Sequence, residues 1–224
     1  DYFAAVEAQA LPLPVVHDEL QHHAVGAYAA HSGIKAWNRR AERMLMTAEK
    51  FCSLASVLTK SPYPAEELHR AWQQVLFNQF HDILAGTSLE TAYEDTRDAL
   101  GEAMSIAARS LNTATQSLAW NIVVPAIEDT NPLVVFNPHA WPSHAVVDME
   151  YGILPEGHIL VDDAGRSVPF QRGQSEAAVR RRDRLQFIAD LPPLGYRVYR
   201  VSPAANSTNS SEFSELAAET SPVA

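Results

Sequence analysis

The chain has 224 residues, 46% of them apolar, which is enough to bury one large hydrophobic core or two small ones. Its 17 basic and 27 acidic side chains give a formal charge of -10, which argues against a nucleic-acid partner because phosphate backbones repel an acidic surface. The single cysteine excludes a disulfide framework or a multi-cysteine zinc site within one copy, and no apolar run is long enough to predict a membrane span.

The first 27 residues lack a sustained apolar period. Residues 1–10 look helical, whereas Pro12 and Pro14 indicate an irregular path into the histidine-rich segment at residues 17–23. Four potential metal ligands lie there: His17, Glu19, His22 and His23. They would form a metal cluster if the segment were helical, but the two prolines favour an ordinary surface segment. Because the chain opens inside an apparently helical stretch, without an initiator methionine or the features of a signal peptide, we expect its beginning to be a cut and its location to be cytoplasmic.

Two long helical patterns follow. Apolar residues recur at steps of three and four over residues 34–58 and predict a helix with one buried face. Lys35 and its charged neighbours are interpreted as the solvated or ion-paired face of this helix. Pro62 and Pro64 interrupt the pattern, and a second helix is predicted to end near residue 81. Its apolar positions are Leu68, Ala71, Trp72, Val75, Leu76 and Phe80.

A third helix is predicted after the short connection HDILAGTS. Thr87 and Glu90 stand at the spacing of a capping box, and an apolar stripe runs over residues 89–118. Three amphipathic helices with short joints are typical of an up-down-up bundle, which we place at residues 28–120.

The apolar period changes to two beyond a proline-containing linker at residues 121–132. Six short strands are predicted: LVVF from Leu133, HAVVDM from His144, HILV from His158, SVPF from Ser167, RLQFIAD from Arg184 and YRVYRV from Tyr196. Strands joined by turns pair mostly antiparallel, so residues 133–201 indicate the start of a sandwich. Residues 202–224 are a low-complexity tail that we expect to be poorly ordered. The predicted fold class is therefore α+β, a three-helix bundle followed by a partial antiparallel β-sandwich.

The most informative segment for chemistry is FNQFHDILAGTS at residues 77–88. It places His81 and Asp82 where a helix ends and a glycine-containing loop begins, so both side chains can project into a cleft. A helix-terminal cation beside a solvated carboxylate would give the same pattern. One histidine is also too few to hold zinc, which normally takes three or more protein ligands. Chemistry alone leaves both interpretations open.

The same segment resembles FNQFHDILPG[ST]S, the signature of the α-mannosidases of glycoside hydrolase family 38. The resemblance continues upstream in ELQHHAVGAYAAHSGIKAWNRRAERML, and downstream in LVVFNPHAWP and LPPLGYRVYRV, in the order that the family has. It covers nearly the whole chain up to Val201. Ala85 departs from the pattern, because many relatives have proline there, but this change removes no chemical group.

This resemblance implies a zinc-dependent retaining enzyme that hydrolyses terminal α-mannosyl linkages, with zinc held by two histidines and two aspartates. His81 takes the position of the last zinc-ligand histidine, and Asp82 that of a carboxylate that binds sugar hydroxyls beside the metal. The other ligands, the nucleophile and the acid/base would lie in an amino-terminal catalytic domain of which residues 1–27 are the end. No catalytic residue is therefore assigned here, and the chain alone is expected to be inactive.

The implied partners are an α-mannoside or mannose-containing oligosaccharide and that catalytic domain. The alternative is a non-catalytic module that binds carbohydrate or serves as a structural interaction domain.

Overall fold

A computed structural model describes residues 1–10, 12–22, 24–175 and 182–204. Its helices are α1 (Tyr2–Ala8), a 3-10 turn (Val25–Tyr28), α2 (Ser32–Thr59), α3 (Ala65–Asn78), α4 (His81–Leu84) and α5 (Glu90–Trp120). Its strands are β1 (Asn131–Phe136), β2 (Ser143–Tyr151), β3 (His158–Val161), β4 (Ser167–Val168), β5 (Phe170–Gln174), β6 (Asp183–Leu191) and β7 (Tyr196–Pro203). Within these ranges no helix combines the length and the apolar character that a membrane span needs. The predicted α+β class is confirmed.

Helices α2, α3 and α5 form the predicted bundle around one apolar core. The core residues are Ile34, Ala41, Leu45, Ala48, Leu68, Ala71, Val75, Tyr93, Leu100, Ala103, Ile106 and Ala107. They recur every three or four positions, so each helix buries one stripe and leaves its opposite face in water. Hydrophobic burial of these stripes is what stabilises the three long helices.

Two details of the helical part differ from the sequence prediction. The segment expected to be a connection contains the one-turn helix α4, which is too short to show a period in the sequence. The predicted capping box is wrong, because α5 has Leu89 at its N-cap and no side-chain cap. The phenol of the buried Tyr93 takes over part of that role by accepting a hydrogen bond from the Ser88 amide at 2.8 Å.

The strands form two antiparallel sheets that pack face to face. The first has the order β1-β7-β3-β4 and the second the order β2-β6-β5. In β6 the side chains of Leu185, Phe187 and Ala189 are buried in alternation with more exposed neighbours, as expected when one face of a sheet covers a core. Phe187 meets Tyr199 of the other sheet edge to face, with 4.9 Å between the ring centroids. The predicted sandwich is confirmed.

The predicted single strand SVPF is wrong, because the chain divides at Pro169 into β4 and β5. β4 pairs with β3 in the first sheet, whereas β5 pairs with β6 in the second. Proline cannot donate a hydrogen bond to a ladder and has a fixed φ. Pro169 therefore ends one pairing and lets the chain cross to the opposite sheet.

The bundle and the sandwich meet at a small apolar cluster. Phe51, Cys52 and neighbouring side chains of α2 and α5 are buried there, with Phe136 of β1 packed against them. The rings of Phe51 and Phe136 are 5.6 Å apart and nearly perpendicular. Cys52 is thus a buried apolar residue, as its position on the helix indicates.

The domain limits given by the sequence remain predictions. Helix α5 ends at Trp120 and β1 begins at Asn131, on either side of the predicted linker. β7 continues to Pro203, two residues into the predicted tail, and residues 205–224 of that tail lie outside the described residues.

Candidate functional site

His81 opens the short helix α4, between the two long helices α3 and α5. Its side chain is 77% exposed and that of Asp82 is 60% exposed. The Nε2 atom of His81 lies 3.4 Å from Oδ1 of Asp82, so the two groups offer an imidazole and a carboxylate at one point of the surface. The ring of Phe80 packs against the imidazole, with 4.2 Å between their centroids. The imidazole is therefore held on one side and open to solvent on the other.

The end of α4 is held by Lys35 of α2. Its Nζ donates to the carbonyl oxygens of Leu84 at 3.0 Å, Ala85 at 3.4 Å and Ala30 at 2.6 Å. The carbonyls of Leu84 and Ala85 are ones that a helix end leaves without an intrahelical partner, and a cation is favoured there. For Lys35 the interpretation as part of a solvated or ion-paired face is therefore wrong, because its partners are backbone carbonyls. The lysine fixes α4 against α2 instead.

The turn after α4 depends on a glycine. Gly86 has a φ of +84°, and a Cβ at this position would lie 2.6 Å from the carbonyl oxygen of Ala30. Only glycine allows both this backbone conformation and this close approach. The carbonyl of Asp82 also accepts the Thr87 amide at 3.4 Å. Both ends of the His81 segment are thus fixed by backbone contacts.

A polar network ties the end of α3 to α2 just before His81. The Nε2 of Gln79 donates to Oδ1 of Asn38 at 3.2 Å and to Oε1 of Glu42 at 2.8 Å. Asn38 is buried. These supporting residues were not predicted from the sequence, although Lys35, Asn38 and Glu42 lie three and four positions apart on one face of α2. That spacing is the signal that would have found them.

Three large apolar side chains beside His81 face water. Leu76, Phe77 and Phe80 are 61%, 81% and 55% exposed, and we refer to them as the apolar patch. The prediction that Leu76 and Phe80 belong to the buried stripe is wrong. Helix α3 ends at Asn78, so Phe80 lies beyond the helix, and Leu76 follows Val75 on the side turned away from the core.

The described residues do not contain a complete zinc site. No group of three or more histidine, cysteine, aspartate or glutamate side chains lies close enough within them to hold a metal. His17, Glu19 and His22 are among these residues, whereas His23 lies outside the described part of the chain. Zinc requires three protein ligands and often a fourth. Within the described residues, His81 and Asp82 are an exposed pair of potential ligands without a third beside them.

The known proteins that this chain resembles include α-mannosidases. Residues 22–118 match the family of α-mannosidase middle domains. Human alpha-mannosidase 2C1 is 38% identical over an alignment of 96 positions, and the alignment covers 38% of this chain and 9% of the human protein.

Two solved structures have the same fold. An α-mannosidase from Enterococcus faecalis V583 has a TM-score of 0.62 at 21% identity, and the comparison covers 90% of this chain and 28% of that one. A family 38 glycosyl hydrolase from Enterococcus faecalis has a TM-score of 0.60 at 20% identity, covering 90% of this chain and 27% of that one. The chain thus spans less than a third of the length of the relatives it matches. Residues 22–118 of this chain therefore match an α-mannosidase middle domain, and the solved structures show that the fold is shared over 90% of the chain.

Proposed function

We propose that this chain is part of a zinc-dependent retaining α-mannosidase, in which His81 is one zinc ligand and Asp82 binds hydroxyl groups of the terminal mannose. The observation that carries the proposal is the exposed position of the His81 imidazole at the start of α4 in an α-mannosidase middle domain. A histidine that shares a metal with another domain must face outward, and His81 meets that condition. Imidazole is also a preferred zinc ligand.

The residues of this chain would hold and orient the reacting sugar. When bound, zinc would act as a Lewis acid on sugar hydroxyl groups. Asp82 is an acceptor for hydroxyl hydrogens, and its adjacency to His81 would keep the sugar beside the metal. Lys35 and Gly86 fix the backbone on which both side chains are carried, and such fixed geometry is what positions a substrate for reaction.

The remaining chemistry would come from another domain. Retention requires two carboxyl groups roughly 5 to 5.5 Å apart across the scissile bond, and we assign neither of them to this chain. The substrate would be an α-mannoside or a mannose-containing oligosaccharide. By itself the 224-residue chain is expected to be inactive.

The test is His81→Ala in the complete enzyme. Loss of one ligand from an open zinc site should lower the bound zinc and reduce kcat/KM by more than about 100-fold. Metal analysis of the purified protein and steady-state kinetics measure the two effects. His69→Ala is the matched control, because His69 is an exposed histidine on α3.

Activity of His81→Ala within about tenfold of the parent enzyme, a change of roughly 1.4 kcal/mol in the barrier, would contradict the proposal. Zinc content and activity that do not depend on His81 would instead support the non-catalytic alternative, in which this region binds carbohydrate or acts as a structural spacer.

A further inference from the structure

The β-sandwich has a polar cleft of its own. A cavity of about 580 Å³ opens beside Pro169, where the chain crosses from one sheet to the other. It is lined by residues of both sheets and of the turn between β3 and β4. The residues that matter for its chemistry are His144, Asp162, Arg166, Ile188, Asp190 and Arg197. None of them belongs to the His81 site.

The cleft exists because β5 is shorter than its neighbour. β5 pairs with β6 only as far as the pair Phe170 and Phe187, whereas β2 pairs with β6 as far as Leu191. Residues 188–191 therefore have a strand neighbour on one side only within the described sheets. Ile188 lies on the outer face of β6 and is 51% exposed. An open strand edge beside a cavity gives a ligand room to approach.

The guanidinium of Arg166 is fixed although it is exposed. Its Nε and Nη2 both lie 2.8 Å from Oδ2 of Asp162. The other oxygen of Asp162 accepts the amides of Ala164 at 3.0 Å and Arg166 at 2.9 Å. The Arg166 side chain remains 71% exposed. It therefore presents N–H donors at a defined position without losing their access to a ligand.

Asp190 supplies a fixed acceptor on the second sheet. His144 donates to its Oδ1 from Nδ1 at 2.5 Å. This hydrogen bond is the main cause that lowers the pKa of Asp190, and the charges of Arg197 and Arg166 lower the pKa further. The charges of both arginines therefore act on the carboxylate of Asp190, which lies on the other sheet. One oxygen of Asp190 is used by His144, and the carboxylate stays 77% exposed.

Arg197 of β7 also lines the cleft and is held there by Asp163. Its Nη1 donates to Oδ1 of Asp163 at 3.0 Å. Its Nε is buried and has no hydrogen-bond partner within the part of the chain that the structure describes. Buried polar groups are normally paired, but a buried Nε is out of reach of a ligand in the cleft.

The charges around the cleft nearly cancel. The two arginines face Asp162, Asp163 and Asp190, so the cleft has no strong preference for an anion or a cation. Val168, Pro169 and Ile188 add an apolar side to the lining. Fixed donors and acceptors around an apolar surface match a ligand with hydroxyl groups at its edges and C–H groups on its face. We infer that this cleft binds a neutral saccharide, independently of the site at His81.

The experiment is a titration of the whole chain with methyl α-mannoside and with methyl β-glucoside, followed by the amide signals in NMR. We expect saturable shifts of the amides of residues 166–168 and 187–191 with at least one of the two sugars. Arg166→Ala and Asp190→Asn should each weaken this binding by about fivefold or more, because the first removes N–H donors and the second replaces a charged acceptor by a neutral amide. Asp190→Asn keeps the shape of the side chain, so it tests the charge without creating a cavity.

Two control variants show whether the binding belongs to the cleft. Arg70→Ala removes an exposed arginine that pairs with Glu102 on the bundle and should leave the binding unchanged. His81→Ala should also leave it unchanged, so failure of the zinc proposal and failure of this one are distinguishable.

Three results would overturn the inference. One is the absence of saturable shifts at these amides with either sugar. Another is binding that Arg166→Ala and Asp190→Asn leave intact. The third is stronger shifts with sodium sulfate than with the sugars, which would identify an anion site. Dispersed NMR spectra of both variants establish that they are folded.

Discussion

His81 faces outward because neighbouring residues hold the backbone that carries it. Lys35 binds the carbonyls at the end of α4, and Gly86 lets the next turn pass close to Ala30. Among the described residues, the imidazole contacts the ring of Phe80 and the carboxylate of Asp82. The position of the imidazole therefore depends on Lys35 and Gly86 as well as on His81 itself.

Gly86→Ala tests the support of the site by the turn after α4. A methyl group at φ +84° and 2.6 Å from the Ala30 carbonyl should lower the free energy of unfolding by at least about 2 kcal/mol. Chemical denaturation measures this change. Gly101→Ala is the control, since a Cβ there meets nothing within 4 Å, and it should stabilise α5 by about 0.5–1 kcal/mol. Equal effects of the two substitutions would contradict the role given to Gly86.

Asp82→Asn in the complete enzyme tests the proposed contact with sugar. The amide keeps the size of the side chain but loses the negative charge, which makes the carboxylate oxygens strong acceptors for hydroxyl hydrogens. We expect the zinc content to stay near that of the parent enzyme and kcat/KM to fall by about tenfold or more, equivalent to roughly 1.4 kcal/mol. Unchanged kinetics would remove Asp82 from the substrate site.

Among the secondary-structure elements, α4 is stabilised from outside. One helical turn has too few internal hydrogen bonds to be stable alone. The nitrogen of Lys35 reaches its end from a position 49 residues earlier in the chain. The short helix is therefore stabilised by contacts with the long helices beside it, α2 and α5.

The start of β6 has an acid-sensitive contact. Asp183 accepts a hydrogen bond from Arg172 of β5 at 2.6 Å and another from the Leu154 amide at 2.8 Å. The hydrogen bond from Arg172 is the main cause that lowers the pKa of Asp183, and the one from Leu154 lowers it further. Because the pKa is lower in the folded state, the contact stabilises the sheet above the unfolded-state pKa of the carboxyl group. That contribution is lost as pH falls through the folded-state pKa.

Arg172→Ala should therefore raise the pKa of Asp183 toward its ordinary value. Carboxyl carbon signals in an NMR pH titration measure the midpoint for this residue in both proteins. Acid unfolding of the variant should also begin at a higher pH than that of the parent chain. An unchanged midpoint would mean that the Leu154 amide, rather than Arg172, is the dominant partner.

The described part of the molecule has two main cores joined by a smaller apolar cluster. The bundle core and the sandwich core are separate clusters, and Phe136 reaches from β1 to the end of the bundle. Lys50 adds a hydrogen bond from α2 to the Pro138 carbonyl at 3.3 Å. The thermal coupling of the two halves should depend strongly on this junction.

Phe136→Ala tests that coupling. Because the ring is only partly buried, we expect a loss of about 2 kcal/mol, below the roughly 3–5 kcal/mol of a fully buried ring. Helical and sheet signals in circular dichroism should then melt at different temperatures. Val146→Ala, an exposed change on the outer face of β2, should leave the two transitions as they are in the parent chain.

The features that repeat along the chain could be predicted from the sequence. The long helices and the alternating strand β6 have clear periods, so their positions agree with the structure to within a few residues. The division at Pro169 and the hydrogen bonds of Lys35 depend on partners far away in sequence, which no local pattern contains. The motif identified His81 and Asp82 as a pair, but it gave no information on the glutamine network beneath them.

The exposed apolar patch has a practical consequence for work with this chain. In water, Leu76, Phe77 and Phe80 would favour self-association, and the formal charge of -10 opposes it by mutual repulsion. Added salt screens that repulsion and leaves the attraction between apolar surfaces in place. Concentrated samples are therefore expected to stay monodisperse at low ionic strength and to cluster as ionic strength rises.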